Sequence, residues 1–320
     1  MGKRALLFPG QGSQYIGMGK EFYDAFVEAK EVFDLAKSVT GLDIAALCFE
    51  ENDRIHITEY TQICMLTEEL ALYNVLKARG FTFDACAGLS LGEYAAVVAS
   101  GAMSVEDAFR VVRQRGIFMQ QAVPEGGAMH AVIGLDPEAI DAVCRQVEAE
   151  GAAADAAFPA DLPYVVSIAN YNNPKQTVIT GRKDAVEKAA AILTEKGALK
   201  CVPLNVSGPF HSALLKGAGE KLADVLKDVE IHEIGIPYIA NVTADYVNRK
   251  EDVKPLLTRQ VASSVKFTQT IELFMKDGVE EFVEVGPGHT LTGFVKKIDR
   301  GLSCANIDTM EDFNKYFAEG

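Results

Sequence analysis

The chain has no apolar run approaching the ~20 residues that a membrane span requires. Met1-Gly2-Lys3-Arg4 is followed by only Ala5-Leu6-Leu7-Phe8 before Pro9-Gly10, too short a core for a signal peptide. That stretch reads instead as the first strand of a sheet. The 6 cysteines stand far apart, with no C-x-x-C pair and no histidines at zinc spacing, so no disulfide framework or metal finger is written here. Free thiols in a cytoplasmic protein, with no metal, are expected. Positive charge is scarce: 31 Lys and Arg against 45 Asp and Glu give a net charge of -14, which argues against a nucleic-acid partner. An acidic partner would have to find a local basic patch. Phosphate-binding loops are missing as well. Gly10-x-Gly12 meets Tyr15 where a third glycine would stand, and Gly19-Lys20 is followed by Glu21.

What remains is ordinary for a globular enzyme of about two domains: 320 residues, 48% hydrophobic and 24% charged. Its organising stretch is Gly88-Leu89-Ser90-Leu91-Gly92-Glu93-Tyr94. Phe81 to Ala87 reads as a buried strand, and Leu91 to Ser100 as an alanine-rich helix stopped by Gly101. In that context G-x-S-x-G is a nucleophile elbow, with small residues flanking a turn that pushes Ser90 out of the sheet edge. The helix N-terminus points its free N–H groups toward an oxyanion formed at Ser90. The plain alternative is a glycine-rich turn with an idle serine. The loop Pro9-Gly10-Gln11-Gly12 reads as an active-site wall, and the Gln11 N–H as a second oxyanion donor.

Ser104-Val105-Glu106-Asp107 opens a further helix with a capping box. Its apolar stripe runs through Ala108, Val111, Val112, Phe118, Met119 and Ala122, and Arg115 completes the 3.6-residue period. Arg110 and Arg113 fall off the stripe and read as solvated. A guanidinium on the buried face needs an anion, either an internal carboxylate or a substrate carboxylate near Ser90. Pattern alone leaves both open.

Beyond Gly126-Gly127, strands at Met129–Leu135, Tyr164–Asn170, Gln176–Gly181 and Leu199–Leu204 interleave with helices at Pro137–Gly151 and Asp184–Gly197. That is β-α-β-β-α-β, a ferredoxin-like insert over residues 127–204. The alanine-rich stretch 152–160 is expected to be a mobile loop. Residues 1–126 and 205–320 alternate strand and helix, with later strands at Ile236–Ala240 and Glu281–Val285. The fold class is therefore α/β: an α/β-hydrolase-like large domain with a mostly parallel sheet, interrupted by the small domain.

A serine nucleophile needs a base. His130 and His232 lie in strand-like alternation and His56 in a polar stretch, whereas His211 and His289 occupy Gly/Pro loops after strands. Residue chemistry leaves those two open and offers no acid partner for either.

Phe8-Pro9-Gly10-Gln11-Gly12-Ser13-Gln14, Gly88 to Tyr94, Gln114-Arg115-Gly116, Gly126-Gly127-Ala128-Met129, Asn170-Tyr171-Asn172-Asn173-Pro174, Gly208-Pro209-Phe210-His211-Ser212 and Val285-Gly286-Pro287-Gly288 follow in order along the chain. In these the sequence resembles the malonyl-CoA:acyl carrier protein transacylases of fatty acid synthesis. The resemblance implies Ser90 as acylated nucleophile and His211 as its base, with His289 outside the chemistry. It implies Arg115 on the malonyl carboxylate, Gln260 accepting from the imidazole, and the Gln11 and Leu91 N–H groups in the oxyanion hole. Phe210 would crowd an α-methyl group, and Asn170 would line the cleft. The sequence departs from the family at Leu89, where histidine is usual, and at Phe267, where tryptophan is common.

The resemblance further implies malonyl-CoA and acyl carrier protein as partners, no cofactor beyond the coenzyme A thioester substrate, and a monomer. Service to a polyketide synthase is the alternative, and a thioesterase or an idle carrier-binding module are the competing classes. Carrier docking would use basic residues near the cleft: Arg182, Lys183, Lys188, Lys196 and Lys200 of the insert, with Lys266, Lys296 and Lys297.

Overall fold

A computed structural model describes residues 2–155, 161–206 and 208–319. Two short strands set the architecture. Along β1 (Lys3–Phe8) and β2 (Ala85–Gly88), Leu6, Phe8 and Cys86 point into one apolar cluster, and Ala5, Leu7, Ala85 and Ala87 into another. A strand buried on both faces must be covered by helices on both, as in parallel sheets.

The chain between them supplies the first layer: α1 (Lys20–Ala25), α2 (Val27–Thr40), α3 (Ile44–Phe49) and α4 (Thr58–Ala78). Helix α4 runs through the middle of that layer, buried along most of its length, carboxylates of Glu68 and Glu69 included. After β2 come α5 (Gly92–Ala99) and α6 (Val105–Ala122), the latter capped by Ser104, whose side chain accepts from the Asp107 N–H.

Next, β3 (Gly127–Ile133), α7 (Pro137–Asp155), β4 (Val166–Asn173), β5 (Gln176–Arg182), α8 (Lys183–Glu195) and β6 (Lys200–Pro203) build a separate antiparallel sheet in the order β4-β5-β3-β6. Helices α7 and α8 cover one face through Ile140, Val143, Val147, Val186, Ala189 and Leu193, packed on Val132, Ile168 and Ile179. The other face, carrying Met129, Ala131 and Val178, looks into a cleft.

The chain returns as α9 (Lys216–Lys227), a short hairpin of β7 (Ile239–Ala240) and β8 (Asp245–Tyr246), α10 (Lys250–Gln260), α11 (Phe267–Lys276), β9 (Val279–Val285), α12 (Thr290–Ile298), β10 (Ser303–Ile307) and α13 (Met310–Glu319). The main sheet has the order β10-β9-β1-β2, and each of its pairings is parallel. The α/β class with a second, ferredoxin-like sheet is thus as expected.

Several details differ. Residues 81–83 are not strand, and the expected strand at 236–240 shrinks to β7, with Tyr238 bridging β2 at Cys86. Helix α7 continues to Asp155, so the first part of the supposed loop is helical because its alanines favour it. The rest of that stretch, 156–160, lies outside the described residues. Strand β10 was not foreseen: Ser303 to Ile307 is weakly apolar and becomes strand by pairing with β9. His232 lies outside any strand and is half-exposed.

Candidate active site

Ser90 sits between the end of β2 and the start of α5, at φ 55, in the left-handed region that costs a non-glycine residue about 1–2 kcal/mol. The flanking glycines are required by close approach. A Cβ on Gly88 would lie 2.0 Å from the Gly92 carbonyl carbon, and one on Gly92 2.2 Å from the Phe8 oxygen. The turn is pinned from a distance by Asn241, which accepts from the Ser90 N–H at 2.7 Å and donates to the Gly88 carbonyl at 2.6 Å.

His211 also adopts a left-handed φ, 60, and its Nε2 stands 2.7 Å from Ser90 Oγ. Its Nδ1 faces two carbonyl oxygens, those of Gln260 at 2.9 Å and Ser263 at 3.1 Å. Carbonyls only accept, so Nδ1 carries the hydrogen and Nε2 presents its lone pair to the serine. Burial, helped by the neighbouring Arg115 charge, lowers His211 to about 4, which keeps the imidazole neutral near pH 7. The expected acceptor at Gln260 is therefore its backbone carbonyl. Its side chain is engaged elsewhere: Nε2 donates to the Ser90 carbonyl and to Glu93 Oε2, both at 2.7 Å.

Arg115 is 1% exposed on the inner face of α6. Its Nη1 donates to Gln62 Oε1 at 2.7 Å, and its Nη2 to Gln260 Oε1 at 2.9 Å and to Ser90 Oγ at 3.1 Å, with the Tyr94 ring 5.2 Å away. Among the described residues no carboxylate forms an ion pair with it. Among the described residues the internal ion pair that pattern reading left open is absent, and the cation lies against Ser90 with neutral partners. Arg113, expected to be solvated, is instead largely buried and bonded to Glu59 beneath Tyr60, while Arg110 is exposed.

A cleft of about 230 Å³ opens above these groups, lined by Gln11, Leu89, Ser90, Arg115, Phe210 and His211 on one side and Met129, Asn170 and Val178 on the other. The Asn170 side chain makes no hydrogen bond among the described residues, and β4 is tied to the main body there by the Tyr171 N–H to the Val265 carbonyl at 2.9 Å. The Ser90 N–H is committed to Asn241 and that of Gly92 to Leu89, whereas those of Leu91 and Gln11 donate to no protein acceptor among the described residues. The Leu91 side chain itself is buried in the core. Leu89 partly lines the cleft, and Phe267 packs at an edge against Phe294. His289 is exposed at the start of α12, and His56 is exposed too. A larger hollow of about 690 Å³, at the opposite end of the sheet beside Arg4, Phe81 and Tyr316, holds no nucleophile with a base.

Sequence reading missed Gln62, Asn241 and the role of Glu93. Asn241 and Gln62 carry no local motif, and their partners lie 151 and 53 positions away. Glu93 was within reach, because a carboxylate inside an apolar helix signals an internal partner. Of the basic residues near the rim, Arg182 is occupied by Asp155 and Asp184 and Lys188 by Glu150. Lys196 and Lys200 have no ion pair among the described residues; the exposed Leu199 lies between them and the exposed Val202 just beyond.

A strained serine at a strand-to-helix turn, a neutral histidine on it and two backbone N–H groups beside it form an arrangement suited to serine acyl transfer. The chain belongs to the acyl transferase domain family, whose model matches residues 5–311. It is 43% identical over 313 residues to the malonyl CoA-acyl carrier protein transacylase of Bacillus subtilis (strain 168), covering 97% of this chain and 95% of that protein. The crystal structure of MCAT from Streptococcus pneumoniae superimposes with a TM-score of 0.92 at 41% identity, covering 99% of this chain and 100% of that one. A malonyl-transacylase, PlMCAT, in complex with a type II PKS acyl-carrier protein, AntF, also gives 0.92, at 37% identity and with the same coverage.

Proposed function

We propose that the chain moves the malonyl group of malonyl-CoA to the phosphopantetheine thiol of an acyl carrier protein, through an ester on Ser90, for fatty acid synthesis. The observation that carries this reading is Arg115: a buried guanidinium with neutral partners, 3.1 Å from the nucleophilic oxygen. Among the described residues no carboxylate touches this buried charge directly, and an acyl group ending in a carboxylate would do so.

The steps follow from the geometry. His211 Nε2 takes the Ser90 proton as Oγ attacks the thioester carbonyl. The free N–H groups of Leu91 and Gln11 receive the oxyanion, each such donor being worth about 3 kcal/mol. The imidazolium, held by two carbonyls, returns its proton to the departing coenzyme A sulfur. The carrier thiol then reverses the sequence on the malonyl ester. Every step is an acyl exchange or a proton transfer, so the scheme calls for no metal or redox cofactor. Phe210 stands in the cleft wall, where its ring would crowd a branched acyl group. Asn170, with an unused amide, would bind the incoming substrate.

Nucleophile, base and guanidinium come from one chain, which fits action as a monomer. Six free cysteines fit a cytoplasmic location. For the carrier protein, the Lys196 and Lys200 rim is the favoured contact. The AntF complex supports a second reading, the same chemistry on a polyketide carrier. The test is intact-mass measurement after mixing with malonyl-CoA, then with each holo carrier protein. A malonyl adduct that is absent in Ser90→Ala and is discharged by the fatty acid carrier supports the proposal. No adduct refutes the mechanism, and discharge only by the polyketide carrier selects the second reading.

A further inference from the structure

Glu93 is fully buried, yet among the described residues no cation pairs with it directly. Its Oε2 accepts from Gln260 Nε2 at 2.7 Å and from the Asn241 N–H at 3.2 Å, while Oε1 has no partner among the described residues. Gln260 in turn accepts from Arg115 at 2.9 Å. One amide therefore joins the buried cation to the buried anion, and the two opposite charges face each other across it. The titratable groups around Glu93 are Arg115 from α6, Tyr94 beside it on α5 and Tyr238 ahead of β7, itself next to Cys86 of β2, with neutral His211 beside Arg115. Arg115 is the cation among them.

A carboxylated acyl group on Ser90 would bring a second carboxylate to that single guanidinium. Two carboxylates that share one buried cation disfavour each other's charged form, and the one with the poorer donors takes the proton. The acyl carboxylate would meet Arg115 directly. Glu93 has only an amide and one backbone N–H.

We propose that Glu93 is a positioning residue that stands in for the substrate carboxylate: it balances Arg115 through Gln260 in the empty pocket and accepts one proton from solvent when a carboxylated acyl group is attached to Ser90. This rests on the acylation reading above. The balance is simple: the Glu93 carboxylate plus one solvent proton gives the neutral acid, while the Ser90 proton leaves on the coenzyme A thiol. Burial already pushes Glu93 up to about 7 in the empty pocket, against the opposing pull of Gln260, Asn241 and Arg115. The site is thus poised for a small electrostatic change to complete protonation.

The experiment is proton uptake, read with an indicator dye in weak buffer at pH 7.5, on mixing the enzyme with malonyl-CoA while the adduct is counted by mass. Uptake of the larger part of one proton per malonyl group is expected. Glu93→Gln, which cannot titrate, should show none, and acetyl-CoA, which brings no carboxylate, should give none per acetyl group attached to the wild type. Above pH 7 the malonyl kcat/KM should fall by up to tenfold per pH unit relative to Glu93→Gln, a signature that a purely structural role would not produce. An adduct formed without uptake, or equal uptake in Glu93→Gln, overturns the proposal. Should the variant fail to fold, equal uptake with malonyl- and acetyl-CoA overturns it in the wild type. No adduct at all refutes the acylation reading, and this proposal with it.

Discussion

The parallel and antiparallel sheets face one cleft, yet the groups they send there differ in kind. From the parallel side and its helices come Ser90, His211, Arg115 and Gln260, each held by at least two hydrogen bonds and two of them in left-handed backbone. From the antiparallel side come Met129, Ala131 and Val178 and three amides, Asn170, Asn172 and Gln176, whose side chains make no hydrogen bond among the described residues. Turns at strand ends fix single atoms, because backbone and helix termini meet there. A pleated face offers a smooth wall. Chemistry should therefore depend on the first region and fit on the second.

The largest test of that division is His211→Ala, expected to lower kcat by roughly 10³-fold with little change in KM. In the wild type the acid limb of kcat/KM should appear only below about pH 4, where the imidazole gains its proton. A break near 6.5 would mean that the ring is solvated. On the opposite wall, Asn170→Ala should raise KM by roughly fivefold, about 1 kcal/mol for one hydrogen bond, and leave kcat nearly unchanged. A loss confined to kcat would move Asn170 into the chemistry and blur the comparison. The smallest effect is expected at the rim. Lys200→Glu should slow transfer to the carrier protein by roughly threefold at low salt, with the difference fading as salt screens it. Salt-independent transfer would remove the rim from docking.

How much was legible follows the same division. The elbow could be read because Gly88 lies against the Gly92 backbone four residues on, a local constraint that leaves a local motif. Arg115 could be read because helical period alone put it inside. His211 could not be separated from His289 by residue chemistry: both follow strands in Gly/Pro loops, and only tertiary contacts bury one and expose the other. Asn241 and Gln62 were invisible because an amide on a far element leaves no periodic trace. The wall of the antiparallel sheet followed from strand alternation, but β10, the edge strand of the main sheet, did not, since Ser303 to Ile307 depends on β9 for its conformation. Arg113 went wrong for a related reason, because Tyr60 and Glu59 of α4 cover a position that its own helix leaves outside.

The central claim is that Arg115 waits for the acid end of the acyl group on Ser90. Its most direct test is the ratio of kcat/KM for malonyl-CoA to that for acetyl-CoA, in the wild type and in Arg115→Ala. The ratio should collapse by roughly 10³-fold in the variant, as truncating a buried charge pair does, with acetyl transfer retained. An equal loss for both substrates would contradict the account, leaving Arg115 as a support for the elbow.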